Sequence, residues 1–378
     1  MKKVVIAIDS FKGCLPSAEA GKAAAEGIRS VYPECEVICL PIADGGEGML
    51  DVLIMATNGQ EVPISAHDPL MRWRNTYYGI SENGETAFIE MASISGLPLV
   101  PPERRNPMLT TTYGTGEIIR DALERGCRNF IIGIGGSATN DAGLGMLQAL
   151  GFRFSDKEGK EVGTGRGEVL IKVAHIDSTC VHPALNSCRF TVACDVQNPF
   201  YGPEGAAYVF APQKGADREM VEALDAGLQN FAEVIRHTTG KDISHHPGAG
   251  AAGGMGGSLL AFLNAELKPG IQLMLEALDF SNKIKSADLI ITGEGKADRQ
   301  TLMGKVPSGI LAEARKQNIP VILLAGNIED SDELQQAGFE GVFSVNPPFI
   351  SLEEAMRPEV ARKNIQQTVE VYLQEIND

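Results

Sequence analysis

Short apolar runs followed by glycine and polar side chains occur at both ends of this chain and constrain its fold. Residues 4–8 form a continuous run rich in β-branched residues, and a polar glycine loop follows at 9–13. Such a run is typical of a strand buried on both faces, and a helical pattern follows from about Ser17. The same order returns at residues 289–291. Strands that alternate with helices in this way predict an open α/β sheet.

The middle of the chain has a different sequence pattern. Turns at Asp68-Pro69 and Asn83-Gly84 separate short strand-like runs, which predicts hairpins. We therefore expect one doubly wound domain built from residues 1–62 and 285–378, interrupted by a mixed α/β domain at 63–284. Clefts between such domains commonly hold substrates, so an inter-domain cleft is the expected site.

The charge balance limits the partners that this protein can have. The 378 residues include 33 Lys and Arg against 49 Asp and Glu, which gives a formal net charge of −16. This balance argues against nucleic acid or an anionic membrane surface as a partner. Any phosphate site must therefore be a local arrangement of backbone N–H groups, lysines and a divalent metal.

The expected location is the cytoplasm. The apolar run near the start ends at Asp9, which is too short for a signal peptide, and no other run is long enough to cross a bilayer. The seven cysteines are scattered and are expected to be reduced thiols. The expected partners are small molecules, and a homodimer is one assembly that the sequence allows.

Four polar glycine loops follow predicted strands. Each would be an Asp-Gly turn more often than a site if it stood alone, but together they predict a shared cleft. Open α/β sheets bind ligands at the carboxyl ends of their strands, where these loops lie. The loops are residues 9–13, 44–48, 195–198 and 293–298.

The chemistry of these loops suits phosphoryl transfer. Carboxylates beside glycine loops in an acidic protein suggest Mg²⁺ that holds the phosphates of a nucleotide. Transfer of a phosphoryl group also needs a base near the acceptor hydroxyl and cations on the moving charge. Asp195 and Asp298 are the carboxylates considered as base or metal ligand. The candidate cations, each of which is otherwise a solvated surface lysine, are Lys12, Lys214, Lys296 and Lys305.

Residues 129–150 allow two functional interpretations. A predicted strand ends in glycines and leads into a helix from about Ala142, which would offer backbone N–H groups to an anion. The same stretch matches the dinucleotide motif G-x-G-x-x-A from Gly133 to Ala138, with Asp156 about twenty residues on. That alternative predicts an NAD(P)-dependent oxidoreductase. The short helix and the apparent hairpin around Asp156 argue against it, and a capped turn without any ligand is the remaining interpretation.

The chain contains eight long motifs: DSFKG at 9–13, ADGGEG at 43–48, TTYGTGE at 111–117, GGSATNDAGLGML at 135–147, CDVQNPFYGPEGAA at 194–207, FAPQKGA at 210–216, PGAGAAGG at 247–254 and TGEGKADRQTLMGK at 292–305. Together these motifs resemble those of the bacterial glycerate kinases of class I. The resemblance implies ATP-dependent phosphorylation of D-glycerate, usually at the 2-hydroxyl, with Mg²⁺. It also implies a flavodoxin-like domain interrupted by a second α/β domain, with both substrates between them. A nucleotide-binding regulator without activity is a further alternative.

Roles for individual residues are hypotheses from their chemistry. The catalytic residues are expected to be Asp195 as the base, with Lys12 and Lys305 as cations on the phosphoryl group. Residues expected to bind glycerate are Asp9, Ser10, Asp44, Gly45, Gly46 and Arg105. Residues expected to bind the nucleotide are Gly135, Gly136, Ser137, Thr139, Asn140, Gly293 and Gly295. Residues expected to bind the metal are Glu294 and Asp298.

Overall fold

The computed structural model describes residues 1–43 and 48–376, and its contacts divide the chain into two units. The first unit comprises Met1–Asp44 and Ile271–Asp378, and the second comprises Gly45–Gly270. These limits differ from the expected domain limits at 62/63 and 284/285. Residues 60–62 pair with the strand Trp73–Ile80 of the second unit, which accounts for part of the difference. The expected limits stay a prediction about the domains.

The strands carry labels in chain order. They are β1 (Lys3–Ile8), β2 (Glu36–Cys39), β3 (Gln60–His67), β4 (Trp73–Ile80), β5 (Thr86–Glu90), β6 (Asn129–Gly133), β7 (Arg153–Ser155), β8 (His175–Asp177), β9 (Arg189–Ala193), β10 (Glu266–Lys268), β11 (Leu289–Ala297), β12 (Val321–Ile328) and β13 (Gly341–Ser344).

The helices are labelled in the same way. Within the described residues, none of them combines the length and the apolar character that crossing a bilayer requires. They are α1 (Ser17–Val31), α2 (Met49–Ala56), α3 (Ala92–Ser95), α4 (Tyr113–Glu124), α5 (Leu144–Ala149), α6 (Ala206–Phe210), α7 (Arg218–Thr239), α8 (Met255–Leu263), α9 (Gly270–Ala277), α10 (Phe280–Lys283), α11 (Val306–Arg315), α12 (Ser331–Gln336), α13 (Leu352–Ala355) and α14 (Pro358–Glu375).

The first unit is built on a parallel sheet. In the described residues its order is β13-β12-β11-β1-β2, and every neighbouring pair is parallel. Counted within the unit, this is the order 2-1-3-4-5 of flavodoxin-like sheets. The fold class expected from the sequence is therefore confirmed. The order reverses between β1 and β11, which places the loops after these two strands at the switch point where such sheets bind ligands.

Small residues let the helices of the first unit pack closely. The helix α1 turns Ala20, Ala24 and Gly27 toward the interior and packs against α14. A Cβ atom at Gly27 would lie 2.6 Å from the carbonyl oxygen of Gln366 on α14, so only glycine fits there. The apolar run of β1 lies beneath this layer, and Val4 and Val5 have no exposed surface.

The second unit contains a mixed sheet. In the described residues its order is β10-β9-β6-β5-β4-β3. The strands β3, β4 and β5 are antiparallel neighbours, which confirms the hairpins predicted from the two turns. The pairs from β5 through β6 and β9 to β10 are parallel. Phe130 on β6 stacks on Phe190 on β9 with their ring centroids 4.7 Å apart, which fills the core at the centre of the sheet.

Candidate functional site

A pocket of about 330 Å³ lies in the first unit at the carboxyl ends of β1 and β11. Residues from both loops predicted to carry chemistry line it. Adjacent parallel strands end at the same edge of a sheet, which is why side chains distant in sequence meet there. The predicted site residues that the structure brings together in this pocket are Asp9, Ser10, Lys12, Glu294, Gly295 and Lys305.

The loop after β1 is held against β11 by backbone hydrogen bonds. The Asp9 N–H donates to the Gly293 carbonyl oxygen over 2.9 Å. The Oδ1 atom of Asp9 accepts from the Ser10 N–H at 2.7 Å, and Asp9 itself is buried. Gly293 lies inside the sheet, where a Cβ atom would come within 2.5 Å of the Leu324 carbonyl oxygen. Strand packing therefore already requires glycine at position 293, whatever its role toward a nucleotide.

Glu294 forms a buried polar group with two partners on the segment after β11. Its Oε1 atom accepts from the Thr301 hydroxyl at 2.6 Å, and its Oε2 atom lies 3.4 Å from Nζ of Lys305. Burial raises the pKa of the Glu294 carboxyl, while the Thr301 hydroxyl and the Lys305 ammonium oppose the rise. These contacts hold the Lys305 ammonium at the pocket, because a partly buried ion pair is screened less than an exposed one.

The donor set for a metal in this unit is small. The Oδ1 atom of Asp298 accepts from the Gln300 N–H at 2.8 Å and Oδ2 lies 3.5 Å from Nζ of Lys296. Among the described residues, no group of three or more His, Cys, Asp or Glu side chains gathers to hold a metal ion. Mg²⁺ is usually bound through one or two carboxylates together with substrate phosphates. Glu294 and Asp298 fit that pattern, and their assignment as ligands stays a prediction.

In the second unit, Asp141 closes the turn between β6 and α5. Its carboxylate is fully buried and accepts four hydrogen bonds. Thr112 donates from its backbone N and from its hydroxyl, each at 2.8 Å. Gly143 and Gly145 donate their N–H groups at 3.2 Å. Burial raises the pKa of Asp141, and these four donors oppose that rise.

The N-terminus of α5 is therefore occupied by a side chain of the protein. We expected this terminus to face an anion, but two of its N–H groups bind Asp141 instead. The dinucleotide motif also fails structurally, because β6 ends at Gly133 and α5 begins only at Leu144. Gly135 and Gly136 are exposed, so their predicted contact with a phosphate depends on the loop and not on the helix.

Lys214 lies buried beneath this loop with only 2% of its surface exposed. Its ammonium donates to Oγ of Ser137 at 2.8 Å and to the carbonyl oxygen of Thr139 at 2.7 Å. Burial lowers the pKa of Lys214 to about 7, against a smaller opposing effect of Asp141. The buried Oγ1 of Thr139 and both polar side-chain atoms of Asn140 find no hydrogen-bond partner within the described part of the chain. These groups form a polar interior at the predicted phosphate loop.

Replacing Lys214 with methionine is expected to remove a pH-dependent part of the stability. The pKa of Lys214 is about 7 in the folded protein and near 10.4 in the unfolded chain. At pH values between these two, the unfolded chain binds one proton more than the folded protein does. The free energy of unfolding of the native protein therefore rises with pH in that window, by about 1.4 kcal/mol per pH unit from this group. Urea denaturation of both proteins at several pH values measures the difference. A difference that stays constant with pH would contradict this prediction.

Two further predicted residues lie elsewhere in the second unit. Arg105 is half-buried, and its Nε donates to the Val100 carbonyl oxygen at 3.4 Å. Its backbone packs on Gly215, next to Lys214, where a Cβ atom would lie 2.3 Å from the Arg105 carbonyl oxygen. Asp195 follows β9 with an exposed carboxylate, and its Oδ1 atom accepts from the Gly270 N–H at 2.8 Å. The roles of Asp195 and Arg105 stay predictions.

Some assignments fall outside the described residues and others were missed. The predicted substrate residues Asp44, Gly45 and Gly46 lie outside the part of the chain that the structure describes. Asn327 and Asn346 line the pocket of the first unit but were not predicted as site residues. The Asn346 amide donates to the Gly326 carbonyl oxygen at 2.7 Å. Their position at the ends of β12 and β13 is the signal that could have identified them.

The comparisons with known proteins all indicate the same family. The model of the glycerate kinase family matches residues 4–377. The chain is 48% identical to glycerate 2-kinase of Escherichia coli K12, over 94% of this chain and 93% of that protein. It is 47% identical to glycerate kinase of Bacillus subtilis 168, over 93% and 92% of the two chains. A crystal structure of a Salmonella typhimurium LT2 protein assigned as glycerate kinase 2 is 44% identical, with a TM-score of 0.90 over 100% of this chain and 98% of that one.

The fold and these matches define the class of protein: the chain is a kinase with two α/β units. The family model and the relatives extend over nearly the whole chain, so the likeness is not confined to one unit. The chain belongs to the glycerate kinase family.

Proposed function

We propose that the protein transfers the terminal phosphoryl group of ATP to the 2-hydroxyl of D-glycerate, which gives 2-phosphoglycerate. The names of its relatives support glycerate as the acceptor, and the E. coli relative is named for the 2-position. The observation that carries the proposal is the pocket of the first unit. There Lys12 and Lys305 lie with the Asp9 and Glu294 carboxylates at the switch point of a flavodoxin-like sheet.

Asp195 is proposed to accept the proton of the glycerate hydroxyl. Its carboxylate is exposed, and one oxygen is already oriented by the Gly270 N–H. A positioned carboxylate of this kind can act as a general base if the acceptor hydroxyl comes within hydrogen-bond reach. Lys12 and Lys305 are proposed to neutralise charge on the transferring group, with the Lys305 ammonium positioned by Glu294.

Mg²⁺ is the proposed cofactor, held by Glu294 and Asp298. When bound, the ion neutralises phosphate charge and orients the phosphates. The loop from Gly135 to Asn140 is proposed to contact a phosphate, with Lys214 holding it from below through Ser137 and Thr139. Arg105 is the proposed partner of the glycerate carboxylate, and its half-buried guanidinium suits a fixed anion.

A coupled assay that detects ADP, with D-glycerate and MgATP as substrates, tests the proposal. ADP release that requires D-glycerate is expected, and phosphorus NMR of the product against the two phosphoglycerate isomers identifies the acceptor hydroxyl. ATP binding without turnover would favour a regulator. A change in nicotinamide absorbance with D-glycerate, in place of ADP release, would favour an oxidoreductase. Formation of 3-phosphoglycerate alone would refute the proposed position.

The proposal also includes a cytoplasmic location and a homodimer. The seven cysteines are free, which is in keeping with a reducing compartment. The molar mass in solution, measured by light scattering, tests the homodimer, and a monomer at working concentration would refute it.

A further inference from the structure

The pocket of the first unit has an apolar side as well as a polar side. Val345, Leu352, Ala355 and Met356 form the apolar side. Leu352 is 78% exposed and Met356 is 39% exposed although both line the pocket. Large apolar side chains left exposed in a concave site indicate a surface that a ligand covers.

The loop after β1 connects the two sides of the pocket. The Cε methyl of Met356 lies 3.2 Å from the position that a Cβ atom would take at Gly13. On the other flank, the backbone N of Lys12 lies 3.5 Å from the corresponding position at Gly295. Gly13 thus lies next to the apolar side of the pocket, and its neighbour Lys12 lies next to the end of β11. One ligand can therefore contact both sides.

The charges of the lining favour an anion. Of the described residues that line the pocket, three are lysines and two are carboxylates. Lys296 is paired with Glu329 at 2.9 Å and with Asp298 at 3.5 Å, so Lys12 and Lys305 supply the attraction for negative charge in a chain with a formal net charge of −16. The lysines are Lys12, Lys296 and Lys305, and the carboxylates are Asp9 and Glu294.

We infer that this pocket binds the nucleotide, with its base against Leu352 and Met356 and its phosphates toward Lys12 and Lys305. The inference rests on the proposed function and assigns the base of the nucleotide, with the phosphates next to Lys12 and Lys305, to the first unit. A nucleoside di- or triphosphate has a flat apolar ring at one end and anionic oxygens at the other, which matches the two sides of the pocket. The thioether of Met356 also suits contact with an aromatic ring.

D-glycerate alone does not match this pocket. A small hydroxy acid has no apolar surface with which to cover Leu352 and Met356. The volume of about 330 Å³ lies within the range of about 300–1,000 Å³ that is typical of pockets for larger ligands.

Calorimetric titration with ADP tests the inference. Leu352→Asp and Met356→Asp are each expected to raise the Kd for ADP at least about tenfold, because a carboxylate would face the base. The KM for D-glycerate is expected to stay unchanged. Val371→Asp is the matched control, since Val371 is 52% exposed on α14 and lies outside this pocket, and its Kd should equal that of the native protein.

Methyl NMR gives a second measurement that needs no substitution. An upfield ring-current shift of the Met356 methyl resonance on addition of ADP is expected, and ADP binding without such a shift would overturn the inference. If the native protein phosphorylates D-glycerate while both pocket variants bind ADP normally, the inference is wrong and the proposed function stands. If the variants weaken ADP binding but D-glycerate is never phosphorylated, the pocket assignment stands and the proposed function is wrong.

Discussion

Asp195→Asn is expected to lower kcat by about two to four orders of magnitude, which is the usual contribution of a general base. Asparagine has nearly the same shape and keeps an oxygen to accept from the Gly270 N–H, so the local structure should persist. Only the basicity of the side chain is lost. Steady-state assays with D-glycerate and MgATP measure kcat, and calorimetry measures the Kd for ADP, which should stay within about twofold of the native value.

A control for this substitution exists in the same unit. Asp217 is exposed and caps α7 by accepting from the Met220 N–H at 2.9 Å. Asp217→Asn makes the same chemical change at a cap and is expected to leave kcat unaltered. If Asp195→Asn also leaves kcat unaltered, Asp195 is not the base.

The largest effect on stability is expected from Asp141→Ala. The substitution leaves four buried donors without their acceptor, and each such loss costs about 1–3 kcal/mol. We expect the free energy of unfolding to fall by more than about 3 kcal/mol, since the donors of Thr112, Gly143 and Gly145 lie where water does not reach. Urea denaturation followed by circular dichroism measures the change.

Asp141→Asn provides a graded comparison if the alanine variant does not fold. The three donors on Oδ2 can keep an amide oxygen, whereas the new NH₂ group would face the Gly143 N–H. A loss of about 1–2 kcal/mol is therefore expected. Asp177→Ala is the surface control, because Asp177 is exposed and the loss should stay below about 1 kcal/mol. Equal losses at the two positions would show that the buried hydrogen bonds do not stabilise the fold as described.

The parallel sheet of the first unit could be predicted from local sequence. A strand covered on both faces needs a continuous apolar run, and residues 4–8 and 289–291 are such runs. The structure leaves Val5 and Ile290 without exposed surface. The meeting of Asp9 with Glu294 could be predicted for a related reason, since neighbouring parallel strands end at one edge.

The role of Asp141 could not be predicted in this way. Hydroxyls and a carboxylate beside glycines are typical both of an anion site and of a capped turn. The decision between them depends on Thr112, which approaches from a segment distant in sequence and supplies two of the four hydrogen bonds. A pattern within residues 135–147 contains no information about that contact.

The reason for the glycines in the segment at 247–254 could not be predicted from the local sequence either. A composition of this kind allows a close approach to a ligand, but Gly253 lies against the backbone of residues 139 and 140. A Cβ atom there would come within 2.1 Å of the Thr139 carbonyl oxygen, and the φ angle of +67° also favours glycine. Gly253 is therefore required by protein packing, which composition alone does not separate from ligand binding.

The order of the strands in the first unit has a consequence for how the chain folds during synthesis. The strand β1 needs β11 on one side, and β11 is made only after the whole continuous second unit. The second unit is therefore synthesised completely before β11, the neighbour of β1 in the sheet, has been made. Until then the backbone N–H and C=O groups on the β11 side of β1 have no strand to pair with, and premature termination before β11 would leave that edge open.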